Sequence, residues 1–347
     1  MPRAASGVGL ELFIPGILDV PAEHAANSAP TCEALESLLD RASEAGCAGD
    51  FTQHLCERFG LRCDDGDLPL AALTRAARGE SPEGDTFALL AAVHLHVDRN
   101  RAYVVPLASD AVMDAESDAL QELFRDRLAS WQCDLHREHT ALWTIKLRRP
   151  IALRTVTLQQ AAGRDVQDCL PVGKHAREWL TIANELQMLL HTHPLNTQRQ
   201  QTGQLTINSA WLWGVGALSG TLVSPFARIY SDCPFLRGLA TLGDAPGEAA
   251  LENFASLDIA RMGERPVCLT LSNARCGPRS GDWRHHLERL ERDWFAPMRN
   301  ALRQGSLQHV ALWLGNDRIY RLTPHQVRRW RLRKPRVLQK HFRTGPA

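Results

Sequence analysis

The sequence predicts an α/β protein, a core sheet flanked by helices and interrupted by an inserted α+β domain. Three observations predict it. Apolar runs of strand length stand near both ends of the 347 residues, GLELFIPGIL at the start and VCLTLS and HVALWL near the close. Stretches with helical periodicity separate these runs, the pattern of an α/β sheet. Between them lies a strand, strand, helix, strand, strand series that reads as a module of its own. The expected division is a discontinuous core, residues 1–86 and 222–347, around an insertion at 87–221.

Taken in order, GLELFIPGIL is bounded by glycines and a proline, as a buried strand is. Residues Ser28 to Gly46 read as a helix, with Leu35, Leu38, Leu39 and Ala42 at helical spacing and Ser28 or Thr31 as caps. Phe51 to Phe59 reads as a second helix, and ESPEGDT as a linker. LLAAVHLHV, the turn DRNR and AYVVPL predict a hairpin. Asp114 to Trp131 reads as a helix, CDLHRE and ALWTIKLRR as a second strand pair. The strongest helix is Pro171 to Leu190, whose apolar face is Trp179, Ile182, Ala183, Leu186, Leu189 and Leu190. FARIYSD then reads as a strand, and PFLRGLATLG as a helix ended by Gly243. VCLTLS, a long helix over Asp282 to Arg303, HVALWL, a GND turn and RIYRL complete the core.

Composition narrows the function classes. Forty basic and thirty-nine acidic residues leave a net charge of +1, so no overall field draws nucleic acid or membrane. Eight of the basic residues lie in the tail RRWRLRKPRVLQKHFR, Arg328 to Arg343. Nine scattered cysteines without a CxxC pair suit reduced thiols. No apolar run has the length of a membrane span, and the N-terminus lacks a signal pattern, so the expectation is a cytoplasmic protein. GxxxxGK[ST], GxSxG and HExxH are absent, and GVGALSG has the wrong spacing for a dinucleotide loop. His94, His96 and Asp98 fall at period two on one predicted strand. They could converge on a metal, but the favoured reading is a polar strand face leading into a turn.

The segment HTHPLNTQRQQTGQLTINSAWLWGVG, His191 to Gly216, is different in kind. Pro194 and Gly203 suggest a path held by turns. Two readings stand side by side. His193, Asn196, Arg199 and Asn208, with Trp213 beside them, could grip a carboxylate or phosphate. Alternatively the same amides satisfy loop backbone in a buried polar knot while Trp211 and Trp213 pack.

This segment resembles the HPxNxxRxxxGxxxxNxxWxWGxG stretch of archaeal-type cofactor-independent phosphoglycerate mutases and, more closely, of bacterial RpfE-type regulatory proteins. NELQMLLHTHP and RDWFAP strengthen the second likeness. LELFIPGILD, SAPTCEALESLLDRA, ARIYSDCPFLRGLATLG and GDWRHHLERLERDWFAPM are similar to successive mutase segments. The resemblance implies an alkaline-phosphatase-like core. It also implies two divalent metals, held by Asp and His clusters, that activate a serine. At those positions this chain has Ile14, Pro15 and Gly16 on the first strand and Asp50 near the serine position. Asn273 replaces an Asp, and Asn316 with Asp317 stands for an Asp-His pair.

The expectation is therefore a non-catalytic regulatory or interaction protein with no catalytic residue, metal or cofactor. It would bind a small phosphorylated or carboxylated ligand through His193, Asn196, Arg199, Asn208 and Trp213, with Arg164 of AAGRD similar to a mutase AGR stretch. A protein partner fits such a role, and a membrane does not. One alternative is a divergent metal-dependent mutase or phosphotransferase using Asp50, His54, Asp232 and Asp317. Another is nucleic-acid binding through the tail, with Trp330 for stacking.

Overall fold

The protein is described from a computed structural model covering residues 8–20, 30–46, 51–61, 67–271, 280–315, 318–329, 338–341 and 343–344. The chain begins with β1 (Gly9–Phe13), β2 (Asp19–Val20), α1 (Glu33–Arg41), β3 (Ser43–Gly46), α2 (Phe51–Arg58) and α3 (Leu70–Ala76). Next come β4 (Thr86–Asp98), β5 (Arg101–Pro106), α4 (Asp114–Arg127), β6 (Cys133–His139), β7 (Leu142–Leu147) and α5 (Leu158–Ala161). They are followed by α6 (Ala176–His191), α7 (Pro194–Gln201), β8 (Ser209–Ala217), β9 (Arg228–Tyr230), α8 (Pro234–Leu242) and β10 (Gly247–Glu248). The last are β11 (Val267–Thr270), α9 (Ser280–Leu290), α10 (Ala296–Gln304), β12 (His309–Trp313), β13 (Arg318–Leu322), α11 (Pro324–Arg328) and β14 (Arg343–Thr344). They form two compact units, Met1–Leu61 with Thr221–Ala347, and Arg62–Gly220.

The first unit is built on a seven-stranded sheet in the order β10-β9-β11-β1-β12-β13-β3. Strands β10, β9, β11, β1 and β12 run parallel, while β13 is antiparallel to both of its neighbours. Strand β1 is central and nearly all apolar, as a strand covered on both faces must be. Its exception, Glu11, pairs with Arg58 of α2, whose guanidinium also lies 4.6 Å over the Phe226 ring. The expected helix over Ser28 to Gly46 is shorter and ends at Arg41. SEAG instead forms the edge strand β3 against β13, so sheet pairing overrides helix propensity there. Of the two predicted caps, Thr31 is not used, since the N-cap position falls on Cys32 with no side-chain cap bond. Ser28 lies outside the described residues, and the N–H groups of Ala34 and Leu35 donate to the Glu291 carboxylate. Glu291 opens a wide π turn, Glu291–Phe295, that joins α9 to α10.

In the second unit β5-β4-β7-β6 are joined in an antiparallel sheet, and β8 pairs with the other edge of β4. Side-chain alternation assigns the two faces. Leu90 and Leu212 join Leu120 and Phe124 of α4 and Trp179, Leu186 and Leu190 of α6 in one core. The opposite face, with Trp211 and Trp213, meets α3, a helix the sequence did not announce. Two glycines let α3 come close: a Cβ on Gly214 would stand 2.9 Å from Leu70 Cβ, and one on Gly216 would stand 3.1 Å from Pro69 Cβ. Gly214 also adopts φ +65°, a value natural to glycine. GVG is thus a packing groove.

Candidate functional site

The segment His191 to Gly216 differs from the turn-held path expected of it. His193 caps a helix, its Nδ1 accepting from Leu195 N at 3.3 Å, and Pro194 supplies the first helical residue of α7. Asn196 and Arg199 therefore sit three residues apart on one helix face, and that face points inward. SAWLWGVGA is strand β8 rather than loop.

The polar side chains of this stretch are spent on internal partners. Asn196, 4% exposed, donates from Nδ2 to Leu190 O at 2.7 Å and to Ile207 O at 2.8 Å, while its Oδ1 accepts from Ile207 N at 2.7 Å. It thereby ties the end of α6 to the approach to β8. Arg199, 2% exposed, donates from Nε to Leu205 O at 2.6 Å, from Nη2 to Ala111 O at 3.0 Å, and from Nη1 to both oxygens of Glu116. Asn208 behaves as a surrogate peptide group: Leu95 N donates to its Oδ1 at 2.6 Å, and its Nδ2 donates to Leu95 O at 3.0 Å. This adds one rung to the β4–β8 ladder. Trp213 is buried in β8 opposite Leu89, and Trp211 donates its indole N–H to Val156 O at 2.9 Å. Arg164 sits elsewhere in the unit, in the turn after α5, where its carbonyl accepts from Val104 N.

Three residues of this network escaped sequence reasoning. Glu116 carries the charge that balances Arg199, and its one local sign is a position two residues into α4, where Oε2 also accepts from Met113 N. Asp67 bonds Thr155 and accepts from Leu68 N and Val215 N, and burial holds its carboxyl above the usual range despite these donors. Thr206 holds His94 through its carbonyl and hydroxyl.

In the first unit, the carboxyl ends of the parallel strands are where an open α/β sheet presents a ligand crevice. At the ends of β1 and β12 they carry packed rings. Phe13 stacks on Trp313 with centroids 5.2 Å apart, the His54 imidazole lies 4.4 Å from Trp313, and Phe51 stands between Phe13 and Phe235 at 6.4 Å from each. Ile14, one residue past β1, is fully buried. Desolvation, with Arg58 second, depresses the His54 pKa and favours the neutral ring. Asp232 uses Oδ1 to accept from Ala250 N at 3.0 Å. Nearby, Ser231 and Thr270 share a buried hydroxyl pair at 2.5 Å, and burial pushes the Cys233 thiol up to about 12. Asp50, Asn273, Asn316 and Asp317 lie outside the described residues. Among the described residues no three His, Cys, Asp or Glu side chains gather at metal-binding distance. Among the described residues, the donors at these strand ends do not fit a pair of dications, which need clustered carboxylates and imidazoles.

The basic tail falls partly outside the described residues, Trp330 included. Its later part returns to the first unit: Leu338 is buried with its N–H on Glu36, His341 approaches the Tyr320 hydroxyl at 3.3 Å, and β14 pairs with β2. Among the described residues no helix is long and apolar enough to cross a membrane.

No family model matches the chain. Over 68 residues, 20% of its length, it is 31% identical to the 2,3-bisphosphoglycerate-independent phosphoglycerate mutase of Methanosarcina barkeri. Over 55 residues, 16% of its length, it is 34% identical to a probable enzyme of the same name from Geobacter sulfurreducens. The matches span only 17% and 14% of those relatives. Among solved structures, the cofactor-independent phosphoglycerate mutase of Thermoplasma acidophilum aligns at 14% identity and TM-score 0.46, covering 91% of this chain and 90% of that one. A Pyrococcus horikoshii protein aligns at 13% and 0.48, covering 92% and 88%. In sequence, the chain is similar to cofactor-independent phosphoglycerate mutases over about a fifth of its length.

Proposed function

We propose that this chain is a non-catalytic relative of the cofactor-independent phosphoglycerate mutases, a regulatory or interaction protein of the RpfE type. One observation carries the reading. The end of β1, where the resemblance implies an acidic metal ligand, carries the fully buried Ile14 followed by Pro15 and Gly16, and the residue before them, Phe13, is stacked on Trp313 of β12. Apolar rings offer no donors to a dication, and a phosphoryl group brought there would lose its hydration without a counter-charge. Of the two described residues among the possible replacement ligands, His54 packs its ring against Trp313 and Asp232 accepts from the Ala250 amide with one oxygen, and they do not form part of a three-donor cluster among the described residues.

The HPLN segment has a structural role in this reading. Arg199 and Asn196 hold the second unit together, and a ligand reaching them would first have to break Glu116 and four backbone carbonyls away. Interconversion of 2- and 3-phosphoglycerate by purified protein with Mn²⁺ or Mg²⁺, coupled to an enolase readout, tests the proposal. The expected rate equals that of buffer. Turnover that follows added metal and disappears with chelator would overturn the reading.

A further inference from the structure

We propose that His94 and His96 form a bis-imidazole site for a nitrogen-preferring divalent transition metal such as Zn²⁺, Ni²⁺ or Cu²⁺, preorganised by Thr206 and Asn208. This does not depend on the proposed function, since both histidines belong to the second unit and to none of the mutase-like metal positions. The two side chains stand at i and i+2 on β4 and so project from the same face. Their ring centroids are 6.3 Å apart with planes inclined at 40°.

The surroundings prepare His94 as a ligand. Its Nδ1 lies 2.9 Å from Thr206 O and 3.1 Å from Thr206 Oγ1. A carbonyl can only accept, so Nδ1 is the nitrogen that donates to it and Nε2 is the one left to face a metal. Metal-bound histidines are commonly oriented in this way, the second nitrogen donating to a carbonyl or carboxylate. The backbone between the two rings is pinned as well, because Asn208 holds both the N–H and the C=O of Leu95. His96 is exposed and its ring can swing. Two Nε2–metal bonds of about 2.1 Å at a tetrahedral angle bring imidazole centroids to roughly 5 Å, a closure that rotation of His96 supplies. Water completes the coordination. Imidazole donors favour Zn²⁺, Cu²⁺ and Ni²⁺ over Mg²⁺ and Ca²⁺.

Calorimetric titration of the full chain with Zn²⁺ in excess Mg²⁺, paired with ¹⁵N-histidine spectra, tests this. The expected result is one Zn²⁺ bound with two imidazole Nε2 resonances shifting together, and an affinity about tenfold or more weaker in His96→Gln. His94→Gln should behave alike; if it does not fold, His96→Gln decides alone, since its side chain is at the surface. Unchanged Zn²⁺ affinity in folded His96→Gln, no binding by the parent chain, or binding without the paired Nε2 shifts would overturn the proposal.

Discussion

Arg199 donates from one guanidinium nitrogen to both oxygens of Glu116, at 3.0 and 2.8 Å, across 83 residues of sequence and with both side chains buried. Removing one partner leaves the other charge buried alone. Arg199→Met should lower unfolding stability by about 3–5 kcal/mol. Arg199→Met with Glu116→Leu should recover much of that loss, because neither charge is then left unpaired. Urea unfolding of the single and double variants checks it; equal losses in both would show that the charges are not coupled.

Gly214 and Gly203 separate two costs of positive φ. Both are left-handed, at +65° and +71°, but a Cβ at Gly203 meets nothing within 4 Å whereas one at Gly214 meets Leu70. Gly203→Ala should cost about 1 kcal/mol, the strain alone. Gly214→Ala should cost about 2–4 kcal/mol, because α3 must also move off β8. Thermal midpoints of the two variants are the comparison to make.

His286 is 6% exposed in α9, its Nδ1 3.0 Å from the Arg289 guanidinium, with Nε2 unpartnered among the described residues. Desolvation first, then Arg289, depresses its pKa from 6.5 to about 4. The unfolded chain therefore binds a proton that the folded chain refuses between pH 6.5 and 4, and stability falls as pH falls through that window. The share owed to His286 is at most about 3 kcal/mol, less where solvent around Arg289 screens it. Denaturation between pH 7.5 and 4.5 should show this slope reduced in His286→Leu. His54 is depressed in the same direction and leaves a residual slope.

Glu291 caps α1 from a distant part of the chain, taking the Ala34 and Leu35 N–H groups. Burial raises its carboxyl pKa even so. Glu291→Ala should cost about 1–3 kcal/mol, since two helix N–H groups lose their acceptor. Glu291→Gln should retain part of this through its amide oxygen. Helical circular dichroism with chemical unfolding distinguishes the pair.

Much of the architecture was legible because local signals and tertiary pairing agreed. The β4–β5 hairpin, α6 and the apolar run of β1 are read directly from period and punctuation. SEAG was not, because its edge pairing with β13 comes from a strand more than 270 residues away. The start of α7 was written in His193 and Pro194, yet the polar residues after it suggested a loop. For the site, residue chemistry was visible and direction was not. An arginine in sequence looks the same whether it faces a ligand or Glu116, and only the fold supplies that partner. The aromatic filling of the strand ends likewise needs Phe13, Phe51 and Trp313 brought together from three separate segments.

Asn208 standing in for a peptide group has a mechanical consequence. Together with Asn196 it fastens three stretches, around Leu95, Leu190 and Ile207, through backbone atoms that cannot be exchanged by mutation. Fraying of any one strips partners from the others, so the region detaches as a single cooperative block or stays closed.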